Sequence, residues 1–125
     1  MLGLANAITL VLSSGGVWEV RYLPDAQAEL EGLPPREQVA IENAVKKLAS
    51  MGGQLPFPHS SNVQGATDLR ELRPRGGNSP WRAFYRCVGG IYVIAALGPE
   101  AKNDRRGFER AVAAAEDRLD DLEED

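Results

Sequence analysis

Five arginines, Arg70, Arg73, Arg75, Arg82 and Arg86, fall within the stretch Asp68–Val88, DLRELRPRGGNSPWRAFYRCV. A guanidinium is planar and permanently charged, and it matches the oxygens of a phosphate or carboxylate two at a time. The arginines lie on two segments patterned as strands. Between them stand the turn formers Gly76, Gly77, Asn78, Ser79 and Pro80, which fold the run back as a hairpin. Side chains alternate between faces along a strand. Arg82, Phe84 and Arg86 are therefore expected on one face, and Trp81, Ala83, Tyr85 and Cys87 on the other. On the first strand Glu71 and Arg73, with Arg75 beyond them, share a face opposite Leu72. Guanidiniums converging in this way make a compact cationic surface suited to a phosphodiester. The competing reading pairs the same arginines internally with Glu71, Asp68 or Glu100.

The elements that must position this hairpin can be read on either side of it. Val17–Leu23 alternates, with Trp18, Val20 and Tyr22 inward, and predicts a first strand. Asp25 is the expected cap of a short helix running through about Leu30. Pro34 and Pro35 open a second helix over Arg36–Met51, whose apolar stripe is Ile41, Ala44, Val45 and Leu48. Leu55–Thr67 holds two prolines and several small polar residues and predicts a loop. After the hairpin, Gly89 and Gly90 turn the chain into Ile91–Leu97, an apolar run that predicts a central strand. Lys102–Arg106 predicts a polar loop in which Asp104 can cap the last helix. That helix carries Phe108, Ala111, Val112, Ala115, Leu119 and Leu122 at helical spacing. The expected fold is α+β, in the order β-α-α-β-β-β-α, with about four antiparallel strands. The helices are expected on one sheet face, leaving the other open and basic. Trp81 is expected to pack beneath the helices.

The 125 residues suit one domain with its own core, and 43% hydrophobic with 26% charged residues is the balance of a soluble globular protein. The domain is expected over residues 17–119. Residues 1–16 read as an N-terminal extension: their apolar run is too short to span a bilayer, and a basic n-region is missing. Residues 120–125 read as an acidic tail, either a solvated end or a transient cover for the basic face. The net charge of −4 conceals an asymmetry. Residues 116–125 hold seven acids and one arginine, whereas residues 68–110 hold nine basic and five acidic groups. The local field counts for more than the total. A single cysteine cannot form an internal disulfide, so Cys87 is expected as a packed thiol in a reducing cytoplasmic setting. One histidine and one cysteine offer no tetrahedral zinc site, and neither a metal nor another cofactor is expected.

The segments WEVRYLPDAQAEL, LRELRPRGGNSPWRAFYR and YVIAALGPEAKNDRRGFERAV together resemble the RelE/ParE superfamily of small bacterial toxins, and within it the phage-derived HigB-like branch. The likeness runs from Val17 to about Leu119. It implies a toxin of a type II toxin–antitoxin pair that cuts messenger RNA on the ribosome and is neutralised by a small helix-turn-helix antitoxin. By position it implies that Arg73 and Arg82 contact the scissile phosphate. It likewise implies that Lys102, Arg105 and Arg106 add basic contacts ahead of the last helix. Glu71 departs from the pattern, because other members often carry a basic residue there. The same superfamily includes ParE-like toxins that bind DNA gyrase and cut nothing, and this is the alternative function.

Metal-free RNA cleavage uses the neighbouring 2′-OH as nucleophile and leaves a 2′,3′-cyclic phosphate. It needs a proton acceptor, cations on the phosphorane and a proton for the departing 5′-oxygen. Arginine suits the charge-stabilising role and is a poor base. His59 is a candidate proton shuttle by residue type, since an unperturbed imidazole suits that role, against the ordinary reading of a surface-loop histidine. Tyr85 and Tyr92 are further proton-transfer candidates, against an ordinary place in the core. Phe84, beside Arg82, is a candidate to stack an unpaired base, and Arg70, Arg75 and Arg86 complete the expected RNA-binding set.

Overall fold

The computed structural model describes residues 17–123. The stretch read as an extension, residues 1–16, lies outside them, as do residues 124 and 125. Strand β1 (Val20–Tyr22) leads directly into helix α1 (Pro24–Glu31). Pro24 occupies the first helical position, and Leu23 rather than Asp25 is the cap residue. Proline fits there because its missing N–H would have no helical partner in any case. Helix α2 (Pro35–Met51) begins on Pro35 in the same way. A 3-10 turn, Gly52–Gln54, follows it.

Next come strands β2 (Ser60–Asn62), β3 (Arg70–Leu72), β4 (Trp81–Val88) and β5 (Ile91–Pro99), then helix α3 (Arg105–Glu123). The five strands form one sheet in the order β1-β5-β4-β3-β2. β1 runs parallel to β5 and the remaining pairs are antiparallel. The α+β class agrees with the sequence, but the expected antiparallel sheet of about four strands is a mixed sheet of five, with β1 parallel to β5. The sheet gains an edge strand, β2, inside the segment expected to be a loop. Ser60-Ser61-Asn62 has no apolar alternation to betray it, and it becomes a strand by pairing with Leu72, Glu71 and Arg70.

The expectation of an open basic face is not met. Helices α1 and α2 cover one side, packing Ala26, Leu30, Ile41, Val45 and Leu48 on Tyr22, Leu72, Tyr85 and Ile94, with Trp81 at the margin. Helix α3 covers the other, setting Ala111, Ala115 and Leu119 on Phe84, Val93, Ala95 and Ala96. The physical reason lies in β5, which is apolar on both faces and leaves each face needing a helical layer. Phe84 is fully buried and meets Phe108 edge-to-face at 5.4 Å between ring centroids. It belongs to the core and is not available to stack a base. Cys87, expected to be packed, is exposed beyond the helical cover.

Helix α3 approaches β5 closely because its contact residues are alanines. A Cβ on Gly98 would collide with the Cβ of Ala111. The register of β4 and β5 shifts between Phe84 and Tyr85, which pair with Ala96 and Ile94. Ala95 is the extra residue of a β-bulge. Its carbonyl accepts from Arg118 at 2.8 Å, and Arg118 also donates to Glu29 Oε2 at 2.9 Å. Glu29 in turn accepts the Leu97 amide at 3.0 Å. Thus α1, α3 and the part of β5 beyond the reach of β1 are tied by two charged side chains.

Phe84→Ala is expected to lower stability by about 3–5 kcal/mol, the usual cost of emptying a buried aromatic site, measured by urea unfolding. Gly98→Val is expected to destabilise by about 1–3 kcal/mol through overpacking against Ala111.

Candidate functional site

Arg82 stands at the start of β4 on the α3 side and is 3% exposed. A buried charge is tolerated only with acceptors and opposite charges around it. Nη1 of Arg82 donates to the carbonyls of Ser79 and Trp81 at 2.7 and 2.9 Å. Nη2 donates to Glu100 Oε2 at 2.9 Å, and Nε lies 3.7 Å from Glu71 Oε1. Burial first, and then the like charge of Arg73, lower the Arg82 pKa from its ordinary value, while Glu71 and Glu100 oppose the shift. The guanidinium stays protonated nonetheless.

Glu71 is the hinge of the arrangement. On β3 it faces the α3 side, opposite Leu72, and pairs across the strands with Phe84. Its Oε2 accepts from Ser61 at 2.8 Å and from Arg73 Nη1 at 3.2 Å, while Oε1 faces Arg82. Arg73 is half-buried. Its Nε donates to the Pro58 carbonyl at 3.0 Å, and its guanidinium lies 5.1 Å from the Phe57 ring centroid, a cation–π contact. Gly77, at φ 98°, makes room for it, since a Cβ there would lie 2.8 Å from Arg73 Nη2. Arg73 and Arg82 therefore converge on one side, with a carboxylate already between them. Charges alternate along Arg73, Glu71, Arg82 and Glu100. This is largely the internal pairing that the sequence offered as its competing reading.

Phe57 was missed at the sequence level. It is 70% exposed, with one aromatic face against Arg73 and the rest open. The signal was an aromatic residue between Pro56 and Pro58, where a core role is hard to arrange. Glu71, the departure from the family pattern, turns out to be the group that Arg73, Arg82 and Ser61 all address.

The other expected residues scatter. Arg70 lies on the opposite face, shared with Leu72, and bonds Ser60 Oγ at 3.0 Å and Asn62 Oδ1 at 2.8 Å. Arg75 does not extend the face of Glu71 and Arg73, because β3 ends at Leu72 and Pro74–Gly77 forms a 3-10 turn. It reaches α2 instead, 3.2 Å from both Glu37 carboxylate oxygens. Arg86 is buried and bonds the Asp68 and Thr67 carbonyls at 2.8 and 3.1 Å and Glu123 at 3.2 Å. Asp120 lies 3.7 Å from it. Residues 120–123 of the stretch read as a tail are helical and hold Arg86 in place. Lys102, Arg105 and Arg106 are exposed at the start of α3, where Asp104 caps the helix by accepting the Gly107 amide at 2.9 Å. The His59 carbonyl accepts the Arg73 amide at 2.9 Å, and His59 Nδ1 is buried without a partner among the described residues. Tyr85 and Tyr92 are core residues on the α2 side, Tyr85 with its hydroxyl 2.6 Å from Ser60 Oγ. Among the described residues no group of three or more His, Cys, Asp or Glu is set to hold a metal ion, and no helix is long and apolar enough to cross a membrane.

The turn carrying Arg75 is held to α2 by Glu37, which also accepts from Ser79 Oγ at 2.8 Å. Burial alone would raise the Glu37 pKa, but the Ser79 hydroxyl and then Arg75 outweigh it and hold it below the usual carboxylate value. A folded pKa below the unfolded one stabilises above the unfolded pKa, and the gain is lost as pH falls through the folded value. Glu37→Gln is therefore expected to cost about 1 kcal/mol at neutral pH. The difference from the parent chain should close below about pH 4, as read from urea midpoints across pH.

Comparison with curated proteins finds no match, and neither does comparison with solved structures. Among family models, the one described as phage derived protein Gp49-like (DUF891) matches residues 28–120. That span runs from α1 into the last turns of α3 and takes in every charged group of the Glu71 cluster. The chain belongs to the Gp49-like family of phage-derived proteins.

Proposed function

We propose that this chain is a RelE-like toxin that cleaves RNA without a metal, with Glu71 as the proton acceptor. The observation that carries the reading is a carboxylate held between Arg73 and Arg82, with the Arg73 side chain 21% exposed beside the open ring of Phe57. A carboxylate supplies what arginine lacks, a site that takes the 2′-OH proton. The 2′-oxygen attacks phosphorus, the P–O5′ bond breaks, and the products are a 2′,3′-cyclic phosphate and a free 5′-hydroxyl. Arg73 contacts the phosphate oxygens as charge grows on them. Arg82, enclosed by its own partners, positions Glu71 from behind and does not itself touch the phosphate. Phe57 takes the stacking role first considered for Phe84. His59, joined to Arg73 through its backbone, supplies the proton for the 5′-oxygen. Lys102, Arg105 and Arg106 contribute exposed positive charge at the start of α3. The Gp49-like family is one of RelE/toxin-like proteins, which supports the toxin class. Messenger RNA on the ribosome as substrate, a helix-turn-helix antitoxin as partner and a cytoplasmic location follow from the resemblance.

One observation favours the alternative of a ParE-like protein that binds gyrase and cuts nothing. Arg82 and Arg86 are spent on internal partners, and Glu71 occupies the place where a phosphate would meet both arginines.

Induced expression of the parent chain is expected to arrest growth and create new transcript 5′ ends. Glu71→Gln should reduce cleavage by about 10²–10⁴-fold, and Arg73→Ala by about 10²–10³-fold. DNA breaks with intact transcripts would establish the gyrase-binding alternative. Unchanged cleavage in both variants would remove Glu71 and Arg73 from the site.

A further inference from the structure

We infer that a groove between α2 and the Pro74–Gly77 turn binds the phosphodiester backbone of RNA. The groove has a volume of about 460 Å³ and is lined by Arg36, Val39, Asn43, Lys46 and Lys47 of α2 together with Arg75 of the turn. It holds four cations and no lining carboxylate, on a chain whose net charge is −4. Among the described residues Arg36, Lys46 and Lys47 enter no ion pair, whereas Glu37 is turned away to Ser79 and Arg75. Arg75 already has Glu37 as counter-charge, but Arg36, Lys46 and Lys47 outnumber that one carboxylate, and an anion in the groove balances the excess.

The backbone adds an independent observation. Arg75 sits at φ 55° and ψ 38°, the left-handed region, which costs a non-glycine residue about 1–2 kcal/mol. Glycines follow it at 76 and 77, so a glycine at 75 would have relieved the strain. The strained residue instead brings a guanidinium to the groove wall.

The lining points to a nucleic-acid strand. Arg36, Asn43 and Lys47 recur along one helical stripe, and residues 36–47 extend over about 17 Å at 1.5 Å per residue, a linear row suited to successive phosphates. The Asn43 amide both donates and accepts, as a ribose 2′-OH requires, and Val39, 54% exposed, offers an apolar contact for the sugar. Arg75 follows Arg73 by two residues across the buried Pro74, a separation of at most about 7 Å. Their side chains part at the turn, Arg73 toward Glu71 and Arg75 toward α2, so the groove is a contact separate from the Glu71 cluster. The strand's identity as RNA rests on the ribonuclease reading, while the groove's affinity for a phosphate backbone does not.

The test uses the full chain with a fluorescent RNA hairpin, read by anisotropy between about 50 and 200 mM salt. The variant is the triple substitution Arg36→Gln/Lys46→Gln/Lys47→Gln, compared with the parent chain. The three groove side chains are exposed and glutamine keeps helix propensity, so the fold is retained; circular dichroism checks it. The triple variant is expected to bind RNA at least tenfold more weakly at the low-salt end. Its slope of log affinity against log salt should fall by about 2, from roughly 0.7 per lost cation. Parent-like affinity and slope in the triple variant would overturn the groove whether or not the parent cleaves. A triple-variant defect without any cleavage by the parent would keep the groove and remove the ribonuclease reading. Capture of a DNA duplex or polyglutamate in place of RNA would also overturn the proposal.

Discussion

The enclosure of one guanidinium orders the functional end of this molecule. Arg82 lies at the junction of β4 with its preceding turn, and removing its charge from water demands compensation on every side. The Ser79 and Trp81 carbonyls fix the turn, Glu100 ties down the end of β5, and Glu71 on β3 supplies the second carboxylate. Because Glu71 is held there, Arg73 is drawn over it, and Phe57 rests against Arg73. Four chain segments spread between Phe57 and Glu100 thus converge around a single row of alternating charges.

Arg86 follows the same rule at the other end of β4. It clasps the Thr67 and Asp68 carbonyls and the acidic end of α3, so the acids of the C-terminal stretch serve a packing purpose. Arg118 does so at a third place, closing the β5 bulge with Glu29. Three of the arginines in this chain are therefore structural fasteners. The exposed cations lie elsewhere, on the outer stripe of α2 and at the start of α3.

Much of the fold was legible in local pattern. The apolar run of β5, the stripes of α2 and α3, the paired glycines between β4 and β5 and the cap at Asp104 are signals carried by neighbouring residues. The edge strand β2 was not legible, because Ser60-Ser61-Asn62 owes its conformation to the partner across it. The covered second face was misjudged although its signal was present: Phe84, Val93 and Ala95 need a partner layer, and α3 had the matching stripe. In the candidate site, the alternation of β4 correctly put Arg82, Phe84 and Arg86 on one face. Whether that face met solvent or a helix depended on α3, which lies beyond the hairpin in sequence.

The sequence by itself determined the class of the fold, the order of its elements apart from β2, and the crowding of arginines on one hairpin, since periodicity and turn chemistry act over a few residues. Only the tertiary structure decided which arginines remain in water. A guanidinium binds a nearby carboxylate as readily as a phosphate, and the choice rests on distances between segments that residue order does not encode.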